Sequence, residues 1–319
     1  MSDPVRQIAD AVLYEGYILW PYTRSALKNR QRWTFGGVYP RGHSEGREDD
    51  PWTMRMQCLL RGGNTVELDV RVRFLHVVRR QLLDRGRPVD ELTVGGERHL
   101  SWEEATEREL QAPPDGVTTL SFPAGSEEEV LGPGASVVRS WEALEGHIEV
   151  GVERLSDDLQ RVSVEVANTS PWPGGSREAA QARTFCSTHA VLRATSGEFV
   201  SLTDPPDELR THAEACSNEG VWPVLVGEPH ERGTLLASPI ILEDHPRIAS
   251  ESPGDLFDGG EIDQMLVLNI LSLSEEEKAE MRASDPKARE ILDRTEALSE
   301  EEMMSLHGAV RDLRHVRGS

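Results

Sequence analysis

Two hydrophobic rhythms divide this chain. Near its start, Val5, Ile8, Ala9, Val12 and Leu13 recur at helical spacing up to Gly16, and Asp3 with Pro4 supplies an N-cap followed by proline at the first helical position. From residue 53 the period falls to two. Val66, Leu68, Val70, Val72 and Phe74 alternate with Glu67, Asp69, Arg71 and Arg73, which predicts a strand with one apolar and one charged face. Residues 53–60 predict the strand before it, and Arg61-Gly-Gly-Asn64 between the two reads as a hairpin turn. Further alternating segments cover 148–155 and 161–166, around Ser156-Asp157-Asp158. Two more, 184–194 and 198–202, read as a hairpin around Thr195-Ser196-Gly197, and 222–226 and 234–242 complete the set. Residues 33–39 read as a strand stopped by Pro40, 84–136 as loop-rich, and 102–110 as a short amphipathic helix.

The helical rhythm returns after residue 262. Residues 262–271 predict a helix, Ser274 with Glu277 and Ser299 with Glu302 have capping-box spacing, and Asp285-Pro286 opens a further helix. These elements predict an α+β fold: a mainly antiparallel β body, sandwich or barrel-like, with an N-terminal helix and a C-terminal helical appendage. The divisions are 1–52 (helix and aromatic, basic segment), 53–245 (β-rich body) and 246–319 (acidic helical region).

Charge sharpens the division. The formal charge is −22. Residues 1–100 hold 16 Arg/Lys against 13 Asp/Glu, and the remainder 18 against 43. A polyanionic body argues against nucleic acid and anionic membrane surfaces and suits a protein partner. The longest apolar run, near 265–273, is interrupted by Asn269 and Ser272, so membrane insertion is not expected. Three cysteines provide no disulfide framework, and the first residues lack a basic stretch followed by an apolar one; both point to a cytoplasmic protein.

Seven of the 17 aromatic residues lie within 14–39, interleaved with Arg24, Lys28, Arg30 and Arg32. Rings beside guanidinium groups suit recognition surfaces. Tyr17, Trp20, Tyr22, Arg24, Lys28, Arg32 and Trp33 are therefore the candidate partner-binding residues. The structural alternative is that this stretch packs against its own sheet.

Metal chemistry has one candidate set: Cys186-x2-His189 and His212-x3-Cys216, thiol and imidazole ligands for zinc or nickel. Its weakness is that residues three apart on a strand face opposite ways. Gly42-His43-Ser44-Glu45-Gly46 matches the letters of a nucleophile elbow, but Pro40 and the charged run 47–51 remove the strand and helix that motif needs. The carboxylate-rich segment 243–263 reads as helix capping rather than a cation site. No catalytic residues are assigned and no resident cofactor is expected beyond the zinc or nickel alternative.

Several strings carry a family likeness: Ile8-Ala-Asp-Ala-Val-Leu-Tyr-Glu-Gly-Tyr-Ile-Leu-Trp-Pro-Tyr22, Ser25-Ala-Leu-Lys-Asn29, Arg32-Trp-Thr-Phe-Gly36, Phe199-Val-Ser-Leu-Thr-Asp-Pro-Pro206, Trp222-Pro-Val-Leu-Val-Gly227, Ser238-Pro-Ile-Ile-Leu242 and Ser252-Pro-Gly-Asp-Leu-Phe-Asp258. Together they resemble an actinobacterial family that accompanies uptake nickel–iron hydrogenase genes. The resemblance implies an accessory role in assembly, maturation or stabilisation, exerted on hydrogenase subunits or maturation factors, and implies no catalytic residues. The alternative expectation is a metal-binding protein or metal-dependent enzyme using the Cys/His set.

Overall fold

The structure is a computed structural model describing residues 4–23, 29, 32, 35–62, 66–247 and 263–299. Helix α1 (Pro4–Tyr14) forms where its apolar stripe predicts, burying Ala9, Val12, Leu13 and Tyr14. The next turn of helix is α2 (Arg41–Ser44). The body then runs through β1 (Thr53–Arg61), β2 (Glu67–Asp84), β3 (Arg87–Val89), β4 (Glu91–Val94), β5 (Glu97–Leu100), β6 (Trp102–Ala112), β7 (Gly116–Phe122), β8 (Gly125–Gly132), β9 (Ala135–Trp141), β10 (Leu144–Arg154) and β11 (Leu159–Asn168). After α3 (Arg177–Gln181) come β12 (Cys186–Thr195), β13 (Glu198–Val200), α4 (Arg210–Glu214), β14 (Trp222–Leu225) and β15 (Thr234–Ser238). The helices α5 (Asp263–Leu271), α6 (Glu275–Ser284) and α7 (Pro286–Glu296) follow.

These strands form an antiparallel sandwich. Sheet I has the order β13-β1-β11-β10-β7, and sheet II the order β14-β15-β12-β2-β9-β8, with β3 and β6 also on β2. Their inner faces enclose the main core, including Met56, Cys58, Val72, Phe74, Ile148, Val164, Phe185 and Leu192. Phe74 stacks on Phe185 at 4.7 Å between ring centres. Each large side chain withdrawn from water here contributes on the order of 2 kcal/mol. The expected α+β, mainly β architecture is what the chain adopts.

Pairing departs from the sequence reading at three places. The turn at 61–64 does not close a hairpin: β1 pairs with β11 and β13, whereas β2 pairs with β12, β6 and β9. Gly62, at φ +146°, begins a crossing from one sheet to the other, and a side chain there would strike Val66. The turn at 195–197 makes the same crossing, since β13 pairs with β1 and β12 with β2 and β15. Glycine turns specify a local reversal, not which strand receives the hydrogen bonds. Third, residues 102–110 are not helical; β6 runs beside β2 in continuous register from Val70↔Ala112 to Arg80↔Trp102. Tertiary pairing overrides a weak helical pattern, and the expected loop-rich stretch 84–136 is largely strand. The strand expected at 33–39 reduces to a single bridge, Val38↔Phe185, with residues 33 and 34 outside the described set.

β2, with 18 residues, outgrows the sandwich. Its first half lies between β12 and β6, while its second half carries β9 and β3. The β4–β5 ribbon follows that extension, and α6 packs against β5. The outer face of sheet II is covered by both ends of the chain. Leu13, Tyr14, Tyr17, Ile18 and Tyr22 share one cluster with Leu75, Val77, Trp102 and Cys186 of the sheet, and with Leu266, Ile270, Met281, Ile291 and Leu292 of the C-terminal helices. The capping box at Ser274 and Glu277 is complete, and Asp285 caps α7 at its proline start. The box expected at Ser299 and Glu302 and the carboxylates at 248–262 lie outside the described residues.

Candidate functional site

The aromatic segment is a keel turned inward. Tyr17, Tyr22 and Arg32 are 4%, 0% and 4% exposed, and Trp20 is half-buried at the cluster margin. The surface expected from Tyr17, Tyr22 and Arg32 is thereby corrected: these side chains pack against their own sheet, because rings beside an apolar sheet face remove more area from water by folding back than by waiting for a partner. Arg24, Lys28 and Trp33 lie outside the described residues. Arg32 is the pivot. Its guanidinium lies 3.9 Å from the Trp102 ring centre and donates to the carbonyls of Tyr17 and Glu103. Burial lowers its pKa, opposed by Tyr17 and Glu103. Tyr17 in turn donates its hydroxyl to Asp285 at 2.7 Å within the core. Burial raises the Asp285 pKa against that hydrogen bond.

The Cys/His set is not assembled. A bulge between Cys186 and His189, where Ser187 has φ +52°, adds a residue to β12. Both side chains consequently oppose same-face residues of β2, Leu75 and Arg73, on the outer side of sheet II. The objection that residues three apart face opposite ways is thus removed. His212 and Cys216, however, belong to α4 and its exit, which pack beside Leu59, Leu209 and Ala213 on the outer side of sheet I. A sandwich separates the two pairs by its own thickness, about 10 Å between sheets. Among the described residues no group of three His, Cys, Asp or Glu is placed to hold a metal. Cys58 and Cys186 are fully buried, and burial pushes both thiols well up.

The Gly42–Gly46 stretch has a different use from the one its letters suggest. Ser44 donates to the Pro40 carbonyl, and His43 Nε2 donates to Asp50 at 2.9 Å. Arg177 of α3 grips Asp50 through Nε and Nη2 and reaches the Tyr39 hydroxyl. Burial works against the Asp50 carboxylate, but the bonds from Arg177 and His43 outweigh it and hold its pKa down. The cluster pins the loop after Pro40 to α3. His43 Nδ1 is enclosed without a partner, and Ser44 and Asp50 are also buried, so this is a structural clamp.

Concave, charged surface lies elsewhere, where the β2 extension, β4–β5 and α6–α7 meet. A groove of about 740 Å³ is lined by Arg32, Arg79, Arg80, Arg98, Glu103 and Glu280, with Trp102 and Ser101 among its buried residues. An adjoining hollow of about 570 Å³ shares Arg80 and Arg98 and adds His99, Arg282, Arg289 and Arg294. Arg80 is its internal brace: it donates to Leu100, Ala283 and Ser284 carbonyls and pairs with Glu104 at 2.8 Å. Sequence reasoning missed this convergence. Its only trace was the near-balanced charge of the first hundred residues in an acidic chain; the helices that complete the walls come from almost 200 positions later.

Compared with protein-family models and with proteins of curated function, the chain matches none. No described helix is long and apolar enough to cross a membrane.

Proposed function

We propose that this protein works by binding another protein, as an accessory factor. The observation that carries this reading is the groove at β2, β4–β5 and α6–α7. Small-molecule pockets are mostly apolar with a few placed polar groups. This groove is walled by guanidinium and carboxylate groups from separate segments of the chain, and arginine is enriched where proteins recognise proteins. The accessory reading keeps the inference of protein binding and relocates it from the aromatic keel to the surface that the keel supports. The likeness to hydrogenase-associated proteins makes nickel–iron hydrogenase subunits or their maturation factors the partners to seek, in the cytoplasm.

The test is affinity capture of the tagged chain from native extract after mild cross-linking. Hydrogenase subunits or maturation factors are expected above the background of an unrelated tagged acidic protein. Recovery identical to that background would overturn the reading.

A further inference from the structure

We propose that the protein self-associates through the free edge of β7, two copies pairing this strand antiparallel about a twofold axis at Thr119. No residue of β7 lines the groove described above. β7 ends sheet I. It pairs with β10 in unbroken register from Leu144↔Phe122 to Val150↔Gly116, and among the described residues no strand pairs with its other side. A strand at the end of a sheet presents a row of backbone donors and acceptors that a further strand can complete.

The other sheet ends are blunted in ways that β7 is not. β13 and β3 have three residues each, β3 with Pro88, and β14 has four with Pro223. β8 carries Glu127, Glu128 and Glu129 and a register shift between Val130 and Gly132. β6 carries Glu103, Glu104, Glu107, Arg108 and Glu109. The strands of the β4–β5 ribbon have four residues each, with Glu91, Glu97 and Arg98. Shortness, proline, charge and bulges all keep free edges from pairing. β7 runs for seven residues without a charge, a proline or a register shift, in a chain whose residues are 28% charged. Val117 is 61% exposed, and Thr119 and Ser121 are exposed on the same face.

The edge matches itself. Antiparallel pairing with Thr119 on the axis engages the whole of Gly116–Phe122. It sets Thr119 opposite Thr119, Thr118 opposite Leu120, Val117 opposite Ser121 and Gly116 opposite Phe122. Threonine pairs stabilise neighbouring strands, and no like charges oppose each other. A ring laid over glycine fills the space its missing side chain leaves. A second copy supplies this match by construction, because a twofold interface presents the same patch from both sides. Glu145 and Glu149 of β10 stand one strand behind Ser121 and Val117. Their counterparts would lie three strand spacings away, about 14 Å, beyond the screening length at physiological salt. Net charge opposes the approach, each copy carrying −22, so the dimer is weak and tightens as salt rises.

The experiment is analytical ultracentrifugation of the full chain over a range of concentrations, at physiological and at high salt. Wild type is expected to show a monomer–dimer equilibrium, tighter at high salt. Thr119→Lys and Thr119→Glu each set like charges against each other on the axis and should weaken dimerisation at least 3-fold. An equimolar mixture of the two variants should recover it, because lysine then faces glutamate. Val130→Ser, which removes an exposed apolar side chain from the β8 edge, should leave it unchanged. Thermal melts in dilute solution confirm that the variants fold. Wild type that stays monomeric at both salts, to about 200 µM, would sink the inference, since a contact weaker than that is no specific interface. Thr119 variants that dimerise as wild type does, or a dimer lost only in Val130→Ser, would place the interface elsewhere and overturn it. Failure of the mixture to recover association would remove the twofold pairing at Thr119.

Discussion

Sheet II has two buried faces, and they are held by different physics. Its inner face meets sheet I mainly through apolar side chains, Val70, Val72, Phe74, Ala190, Leu192 and Leu235, with His76 buried among them beside Phe122. Its outer face, formed by the intervening residues of the same strands, offers Leu75, Val77 and Cys186 but also Arg73 and His189. The cover there comes from the two ends of the chain and is clipped by directional bonds: Tyr17 to Asp285, Arg73 to Asp10 at 2.6 Å, and Arg80 to the end of α6. Apolar contact is non-directional, so it secures the sandwich without choosing an orientation for the outer layer. Buried polar bonds are costly when misplaced, so they specify one seating of that layer.

Four measurements would break or sharpen this contrast. The largest effect is expected inside the sandwich. Phe74→Ala removes a fully buried ring stacked on Phe185 and should cost about 3–5 kcal/mol in urea unfolding; a loss below about 1 kcal/mol would mean the two sheets do not share this core.

Acid should act next, through histidines held neutral. Burial lowers the pKa of His189 on the outer face to about 4, and the same cause lowers that of His76, whose imidazole donates to the Glu142 carbonyl, to about 4. Between the ordinary value near 6.5 and about 4, the unfolded chain takes up a proton that the native imidazole refuses. The stability these groups provide is therefore complete above about 6.5 and is lost as pH falls toward 4, on the order of 3 kcal/mol for fully buried His189. His189→Asn should flatten the stability–pH slope in that window by roughly half, His76 supplying the rest; an unchanged slope would show that His189 titrates normally.

Tyr17→Phe isolates the outer clip. Asp285 Oδ2 would stay buried without the Tyr17 donor, Oδ1 keeping the Lys287 N–H, at a cost of about 1–3 kcal/mol. Hydrogen exchange should quicken in α6 and α7 and remain slow in β10 and β11. Equal acceleration in both regions would mean the layers unfold as one unit and the contrast is not energetic. The smallest effect is the reference: Arg154→Ala breaks an exposed pair with Asp157 in the β10–β11 turn and should change stability by less than about 0.5 kcal/mol.

The failures of sequence reading have a common form. Alternation in 66–74 correctly assigned inward and outward sides to β2, yet the turn before it looked like a hairpin and is a crossing between sheets. Residues 102–110 read as a short amphipathic helix, whereas pairing with β2 makes them a strand. Cys186 and His189 looked opposed, and one bulged residue aligns them. The aromatic stretch was visible as a concentration of ring area, but its direction, inward or outward, was not.

By itself the amino-acid sequence determined what local periodicity and capping control: the N-terminal helix, the Ser274 and Asp285 helix starts, the β10–β11 hairpin and the mainly antiparallel β character. These depend on neighbours within a few positions. Only tertiary structure decided which sheet received each strand, that the keel faces inward, that the Cys/His pairs sit on opposite sides of the sandwich, and that arginines from β2, β5, α6 and α7 converge on one groove. Those outcomes follow from burying apolar area between segments far apart in the chain. That free energy depends on the whole packed arrangement, and no local window of sequence contains it.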